Sequence, residues 1–389
     1  MEFRLEAHRD PSRAPDDAGR DFARDAIRAL ARPRRTGSAG AAEVEAELRL
    51  RFDELGYTVR EAPFTFSAWP GRFGVPVGGV VCVLGLAGAT LALALRAPLA
   101  ALGALGAVAA LIALGARFAR RAITGLPWGR VQGANWLVHR PGARPRYLIA
   151  AHRDSKSQPV STFLRVAAIV LVAFAWIALA ALAVIGLIDI ALVSRTLVLS
   201  LGALGAVGGM LLAGCHAGNA SPGALDNATG LAALLGLALR QRDHRDVAFL
   251  VTDAEELGLA GAWDAARWLQ PVDGIINLDG LDDEGAFRIA ERIGAYRRRA
   301  LAPHLAAALL ASADALGVAA ERRDLPAGVL VDHVPLGRAG YPALTLLRGT
   351  ARSLLRVHRP DDSPDRLTGA GVALTVALVS GALDLLRTR

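Results

Sequence analysis

The sequence has few cysteines, a single lysine and no basic block interleaved with aromatic residues. Its two cysteines, Cys82 and Cys215, fall in or beside apolar runs and form neither a disulfide framework nor a metal motif. The net charge of +8 comes from arginines scattered among acidic residues. Without a basic patch, we expect no nucleic-acid partner. Residues 1–30 are charged and lack an apolar core, so we also expect no cleavable signal peptide.

Apolar residues make up 53% of the chain and are concentrated in four long runs. The runs are Phe73–Leu95, Ala97–Ala116, Val166–Ile188 and Thr196–Cys215. Each can cross a bilayer at about 1.5 Å per residue, and their pairing predicts two transmembrane hairpins rather than buried core helices. The runs are rich in Gly and Ala, which allow close packing in lipid. They contain almost no polar residues, so a transport role is the least favoured.

Soluble sequence surrounds the two hairpins. We predict soluble segments at 1–72, 117–165 and 216–389, and hairpins at 73–116 and 166–215. Each hairpin returns to the side that it left, so the three soluble segments form one domain on one membrane face. The final predicted helix, 368–387, is shorter than the four runs and carries Asp384, which favours packing on a sheet over a fifth span.

Strand and helix patterns alternate in the soluble segments. The stretch "GANWLVHRPGARPRYLIAAHRD" is typical of a hairpin of two strands joined by a Pro-Gly turn. Further along, the pattern predicts helices at 229–241, 259–269 and 297–316, and strands at 247–252 and 274–279. This alternation predicts an α/β sandwich with a largely parallel sheet.

Acidic residues and histidines follow several of the predicted strands. They are His152, Asp154, Asp226, Glu255, Glu256, Asp279 and His358. In open α/β sheets the carboxyl ends of strands are where binding sites gather. Mixed nitrogen and oxygen ligands suit zinc, and metal pairs are common in hydrolases. Each residue alone has a structural interpretation, as a cap, a turn or a surface pair. Their conjunction favours a two-metal site.

The order of these motifs resembles the M28 family of co-catalytic zinc aminopeptidases. The matching segments are "HRD", "GALDNATG", "EELGLAG", "NLDG" and "HRPDDSPDRL". The resemblance covers nearly all the soluble sequence. It implies an α/β three-layer sandwich with a mixed, mostly parallel central sheet, here with four inserted transmembrane helices in two hairpins. It also implies two Zn²⁺ ions, or another divalent metal, and a peptide or protein N-terminus as substrate.

The resemblance also assigns a role to each matching residue. It implies that Asp226 bridges both metals, that His152 and Asp279 complete one site, and that Glu256 and His358 complete the other. Glu255 would be the general base, and Asp154 would orient His152. The peptide bond after Asp226 is often cis in this family. Two alternatives stay open: a non-catalytic binding or scaffold protein, and a related amide chemistry such as glutaminyl cyclisation, which uses one zinc in such relatives.

The hairpins are a departure from the soluble members of the family. The second hairpin separates "HRD" from "GALDNATG", so we hypothesise that the active-site mouth lies close to the membrane and favours membrane-tethered substrates. Basic residues near the spans lie mainly on the domain side: Arg72, Arg117, Arg120, Arg121, Lys156 and Arg165. The far side carries Arg96 and Arg195. The positive-inside rule then predicts an integral membrane protein with a cytoplasmic hydrolase domain. The oligomeric state is left open.

Overall fold

The computed structural model of the protein describes residues 17–294, 298–325 and 329–388. Residues 1–16 of the first predicted soluble segment, and residue 297 of the predicted helix 297–316, lie outside the described residues. The chain divides into two units. The α/β unit contains the described residues of 1–65, 131–156 and 219–389. The helical unit contains residues 66–130 and 157–218.

The helices and strands have the following bounds. The helices are α1 (Asp17–Leu30), α2 (Ala39–Glu54), α3 (Trp69–Ala94), α4 (Pro98–Gly125), α5 (Thr162–Ile188), α6 (Arg195–Ala213), α7 (Thr229–Arg240), α8 (Ala260–Trp268), α9 (Pro303–Ala315), α10 (His333–Arg338), α11 (Ser353–Arg356) and α12 (Ala370–Arg387). The strands are β1 (Thr58–Ser67), β2 (Arg130–His139), β3 (Tyr147–His152), β4 (Val247–Thr252), β5 (Gly274–Leu281), β6 (Phe287–Ala290), β7 (Arg292–Ile293), β8 (Arg299–Ala300), β9 (Ala320–Arg322) and β10 (Ala343–Arg348).

An eight-stranded sheet forms the centre of the α/β unit, in the order β1-β2-β4-β3-β5-β10-β6-β9. Strands β4, β3, β5 and β10 run parallel to one another, whereas β2 pairs antiparallel with β4 and β6 pairs antiparallel with β10. The mixed, mostly parallel sheet that the sequence predicts is therefore confirmed.

Helices cover both faces of this sheet. Alternate residues of a strand point to opposite faces. On β3, Ile149 packs in one buried cluster with Leu234 of α7 and Leu383 of α12. Its neighbour Leu148 packs in another, with Leu336 of α10. All six residues of β3 are buried, as expected for a central strand covered on both sides. The unit thus has three layers.

Two local predictions are wrong. Strand β2 pairs with β4 and not with β3, so "ANWLVHR" and "RYLIAAH" do not form a hairpin. The fully buried β3 has a parallel neighbour on each edge, β4 and β5, and this leaves β2 further out in the sheet. The predicted helix 297–316 begins only at Pro303, in the first turn where proline is tolerated. Residues 299–300 form the short strand β8 instead.

The helical unit packs its four helices through small residues. Helix α3 contacts α4 and α6, and α5 contacts α4 and α6. At Gly209 a Cβ would lie 2.6 Å from a methyl of Val83, and at Gly79 it would lie 2.3 Å from the backbone nitrogen of Ala213. Glycine therefore sets the close approach of α3 and α6. Many outward apolar side chains are exposed, including Leu84, Leu99 and Ile188. Such a surface is typical of helices in lipid.

Five described helices are long and apolar enough to cross a bilayer, and they are α3, α4, α5, α6 and α12. Helix α12 differs from the other four because it belongs to the α/β unit and packs against α7 and α9. In α12, 61% of the apolar stretch is buried, whereas at most 39% of the apolar stretch is buried in each of the other four helices. This placement agrees with a sheet-covering helix. The number of membrane spans stays a prediction.

Candidate metal centre

Three neighbouring strands bring acidic residues and a histidine to one edge of the sheet. Strands β4, β3 and β5 are parallel, so their carboxyl ends lie together. His152 ends β3, the turn 253–256 follows β4, and Asp279 lies near the end of β5. Ala150 pairs with Asn277, and His152 and Asp279 each follow that pair by two residues. Their side chains therefore point to the same face.

The first donor set joins His152, Asp226 and Asp279. Their donor atoms all lie within 4.8 Å of one another. Nε2 of His152 lies 3.1 Å from Oδ1 of Asp226 and 3.8 Å from Oδ1 of Asp279. The imidazole is 1% exposed and the two carboxylates are largely buried. One nitrogen and two carboxylate oxygens thus converge in a site with little access to water.

The second donor set joins Asp226, Glu256 and His358, again within 4.8 Å. Nε2 of His358 lies 3.0 Å from Oδ2 of Asp226 and 3.2 Å from Oε1 of Glu256. Asp226 is common to both sets, and its two oxygens face different histidines. The five residues that the sequence predicts as metal ligands are therefore brought together in two adjoining groups.

Two buried donor atoms of these groups have no hydrogen-bond partner among the described residues. They are Nε2 of His152 and Oε1 of Glu256, and both are inaccessible to solvent. Buried polar atoms are normally satisfied, and a metal ion is one group that would satisfy these. Imidazole nitrogen with carboxylate oxygen is also a donor set that suits zinc. The residues present therefore fit a zinc-type metal.

The charges of the site favour a cation at its centre. Burial lowers the pKa of His152, but contacts with Asp154, Asp226 and Asp279 outweigh burial and raise that pKa well above its ordinary value. Burial raises the pKa of Asp279. Both shifts mean that the site resists an excess of negative charge, because several carboxylates share one buried space. A bound metal cation would supply the missing positive charge.

Asp154 contacts both the histidine and the glutamate turn. Nδ1 of His152 lies 3.1 Å from the backbone oxygen of Asp154 and 3.5 Å from its carboxylate Oδ1. The carboxylate accepts hydrogen bonds from the backbone amides of Glu255, at 3.0 Å, and Glu256, at 3.1 Å. Asp154 therefore fixes the turn of the two glutamates, in addition to the orientation of His152 that the resemblance implies.

Glu255 lies in the same turn as Glu256 but belongs to neither donor set. Burial raises the pKa of its carboxyl group well above the ordinary value, and the adjacent Glu256 adds to the effect. The pKa of Glu256 is lowered to about 2, because the effects of His358 and Lys156 outweigh burial. Neighbouring glutamates are thus placed in different electrostatic environments, one suited to holding a cation and the other to holding a proton.

The loop that carries Asp226 is held by residues from distant regions of the chain. The carboxylate of Asp362 accepts hydrogen bonds from the backbone amides of Leu225 and Asp226. The fully buried guanidinium of Arg34 donates to the backbone oxygens of Pro222 and Gly223. The Asp226–Asn227 peptide bond is cis. Sequence reasoning missed Arg34, and it included Asp362 only within the final motif, without a role.

A further buried carboxyl group, Asp332, was also missed. It accepts a hydrogen bond from Oγ1 of Thr252, the last residue of β4, and its Oδ1 has no partner among the described residues. Burial raises its pKa to about 7. Its segment, "VDHVPLG", also resembles the M28 family, and that was the only signal available for it. Because β4 leads directly into the glutamate turn, Asp332 lies among the groups that support the site.

Comparison with known proteins gives a family match for part of the chain and several solved structures of similar fold. The model described as "Peptidase family M28" matches residues 204–381. The fold is similar to glutaminyl cyclase of Porphyromonas gingivalis, with a TM-score of 0.56 and 15% identity over 96% of this chain and 99% of that chain. No curated protein matches the sequence.

Two aminopeptidases have a comparable likeness. The aminopeptidase of Aneurinibacillus sp. strain AM-1 has a TM-score of 0.54 and 13% identity, over 95% of both chains. The zinc aminopeptidase BSAP of Bacillus subtilis has the same TM-score and identity, over 94% of this chain and 95% of that chain. At such identities the likeness concerns the fold alone.

Proposed function

We propose that the chain, whose residues 204–381 match the model of peptidase family M28, is a membrane-anchored aminopeptidase with two zinc ions. Its proposed substrates are the N-terminal peptide bonds of peptides or proteins. The family and the structural neighbours support a peptidase or a related amide chemistry as the broader class. The geometry of the site supports the finer assignment.

One observation carries the proposal: Asp226 lies between two histidines and faces each with a different oxygen. The distances are 3.1 Å to His152 and 3.0 Å to His358. A shared carboxylate between two donor sets is what a pair of metal ions requires. His152 and Asp279 would hold one ion, and Glu256 and His358 the other. When bound, the pair would polarise the scissile carbonyl and acidify the attacking water.

Glu255 would move the proton in this reaction. It takes a proton from the attacking water and passes it to the nitrogen of the leaving amine as the peptide bond breaks. Burial raises the pKa of Glu255, so its carboxylate is a stronger base than that of an ordinary glutamate, as a group that takes a proton from water requires. Asp154 keeps Glu255 in place through the backbone amide of the turn. A positioned carboxylate of this kind contributes about 10²–10⁴-fold in rate.

The helical unit would be the membrane anchor. Its four long helices expose apolar side chains as a lipid-embedded bundle does, and the distribution of arginines favours a cytoplasmic α/β unit. A reporter fused at the C-terminus should be active only inside the cell. Activity of the reporter only outside would contradict this orientation.

Short chain connections support membrane-proximal substrates. The segment from His152 to Thr162, the first residue of α5, can span at most about 35 Å when it is fully extended. We therefore expect faster hydrolysis of a lipid-anchored peptide than of the same free peptide in reconstituted bilayers. Equal rates on the two substrates would count against a membrane-proximal site.

Glutaminyl cyclisation is the second candidate, because several structural neighbours are glutaminyl cyclases. The relatives that cyclise are expected to use one zinc. Here His152 and Asp279 complete a second donor set beside that of Glu256 and His358, which favours the two-metal hydrolase. A non-catalytic scaffold is disfavoured because all five proposed ligands and the proposed base are present together.

The test is zinc content and aminoacyl-amide hydrolysis of the purified chain, beside Glu255→Gln and the control Glu54→Gln at the exposed end of α2. We expect two zinc ions in all three proteins and a loss of hydrolysis of about 10²–10⁴-fold only in Glu255→Gln. One zinc with cyclisation of an N-terminal glutaminyl peptide would support the second candidate. Neither metal nor turnover in the wild type would favour the scaffold.

A further inference from the structure

Lys156 is the single lysine among the 44 basic residues of the chain. Its side chain is only 15% exposed, and its Nζ lies 2.5 Å from Oε2 of Glu256. It follows His152 and Asp154 at alternate positions of one short segment. That segment therefore supplies a proposed ligand of one metal site and a cation that contacts a proposed ligand of the other.

The ion pair gives the two oxygens of Glu256 different surroundings. Oε2 contacts the ammonium group of Lys156, whereas Oε1 lies 3.2 Å from Nε2 of His358 and makes no hydrogen bond to the described residues. Oε1 is therefore the oxygen of Glu256 that faces His358 of the second donor set. Because Oε2 is engaged by the lysine, Glu256 has one oxygen, Oε1, available to a metal ion. The ion pair also fixes the orientation of the carboxylate.

The corresponding carboxylate of the other donor set has no such cation. Within the described residues of the chain, Asp279 makes no ion pair with a lysine or an arginine, and its ionic contact is to His152. The two donor sets are therefore chemically unequal. Within the described residues, the carboxylate of Asp279 contacts a histidine, whereas the carboxylate of Glu256 is also paired with the ammonium group of Lys156.

We propose that Lys156 makes the two metal sites unequal in affinity, so that the site of Glu256 and His358 binds zinc more weakly than the site of His152 and Asp279. This inference rests on the proposed two-zinc function. The physical cause is repulsion between the ammonium group and a divalent cation in a largely buried site, together with the loss of one carboxylate oxygen to the ion pair. The weaker zinc is then the one that a chelator removes first.

The choice of lysine follows from the same geometry. A compact ammonium group contacts one oxygen of a carboxylate, whereas the planar fork of arginine engages both. An arginine at position 156 would therefore compete with the metal for Oε1 of Glu256. In a chain that uses arginine everywhere else, the lysine is the cation that leaves Oε1 available.

The test is a zinc titration of the metal-free full-length chain in detergent, against a chromophoric chelator. The proteins are wild type, Lys156→Met, Lys156→Arg and the control Arg387→Met. The control removes a comparably buried cation of α12 that pairs with Asp246. We expect two separate steps in the wild type and in Arg387→Met. In Lys156→Met the weaker step should become tighter by about tenfold or more, since one repulsive charge is removed. In Lys156→Arg the weaker step should weaken or disappear.

The possible failures are distinguishable. One zinc or none in the wild type would overturn the two-zinc function itself. Two steps in the wild type with the same separation in Lys156→Met would overturn only the role of Lys156, and so would a weaker second step in that variant. If Lys156→Met does not keep the thermal stability of the wild type, Lys156→Arg decides, because an unchanged second step there contradicts the inference.

Discussion

The carboxylate of Asp362 accepts a hydrogen bond of 3.2 Å from the backbone amide of Asp226, the residue common to both donor sets. A second bond, of 2.8 Å, comes from the amide of Leu225. Burial raises the pKa of Asp362 to about 6, so the group is mostly an acceptor at neutral pH. The last loop of the chain thus holds the shared carboxylate in position, although it lies far from that carboxylate in sequence.

Replacement of Asp362 by asparagine should weaken metal binding without unfolding the protein. The amide of asparagine presents a donor toward one of the two backbone N–H groups, so one charge-assisted bond of about 1.5–3 kcal/mol is lost. We expect zinc affinity to fall by about 10–100-fold, as for other residues that orient a ligand. A zinc titration measures this, with the exposed neighbour Asp361→Asn as control. Equal affinity in both variants would contradict the role of Asp362.

Replacement of Asp154 by asparagine should reduce turnover more than metal binding. The variant keeps the backbone oxygen that contacts His152 but disturbs the bonds to the amides of Glu255 and Glu256. A small displacement of a catalytic group costs about 10²-fold in rate. We expect kcat to fall by about that factor with a smaller change in zinc affinity. If both fall equally, Asp154 acts mainly through His152.

Leucine at Gly209 should destabilise the helical unit. A Cβ at this position would lie 2.6 Å from a methyl of Val83 and 3.2 Å from the backbone oxygen of Gly79, so α3 and α6 would have to separate. Overpacking of this kind costs about 1–3 kcal/mol. Thermal unfolding in detergent measures the effect. The control is Gly106→Leu in α4, where a Cβ meets no atom within 4 Å, and its stability should stay within about 0.5 kcal/mol of wild type.

The buried His333 should make the α/β unit less stable in mild acid. Burial lowers its pKa from 6.5 to about 4. As the pH falls from 6.5 toward about 4, the unfolded chain binds a proton at His333 that the folded chain does not, so the free energy of unfolding decreases. Well above pH 6.5, His333 contributes no pH dependence. Between about pH 7.5 and pH 5 the loss amounts to about 2 kcal/mol, from 1.36 kcal/mol per pKa unit.

The measurement for His333 is the free energy of unfolding at both pH values. His333→Gln should show a smaller decrease than wild type, even if its stability at neutral pH is lower because the contact of 2.7 Å to Thr345 is lost. Removal of a less buried histidine, in His304→Gln, should leave the decrease as in wild type. The same decrease in His333→Gln would mean that other groups cause the acid sensitivity.

The sequence placed the candidate ligands beside apolar strands and in loops, and the resemblance to the M28 family assigned the ligand set among them. His152 and Asp279 stand at the ends of apolar strands, and Asp226 stands in a glycine-bounded loop, so each was visible as a polar residue where burial was expected. Their partners within the site were not visible. The roles of Arg34, Asp332 and Asp362 depend on hydrogen bonds to groups at least 80 residues away in the chain. A local sequence pattern does not predict contacts at such separations.

The sequence by itself determined the alternation of strands and helices, the apolar helices and the order of the metal motifs, because these depend on the chemistry of neighbouring residues. Only the tertiary structure decided that β2 pairs with β4, that Asp154 holds the amides of Glu255 and Glu256, and that Lys156 contacts Oε2 of Glu256. The physical reason is that strand pairing and buried ion pairs are selected by the packing of the whole domain. Residues with equal local propensity are distinguished only by which groups the fold brings within a few ångströms of them.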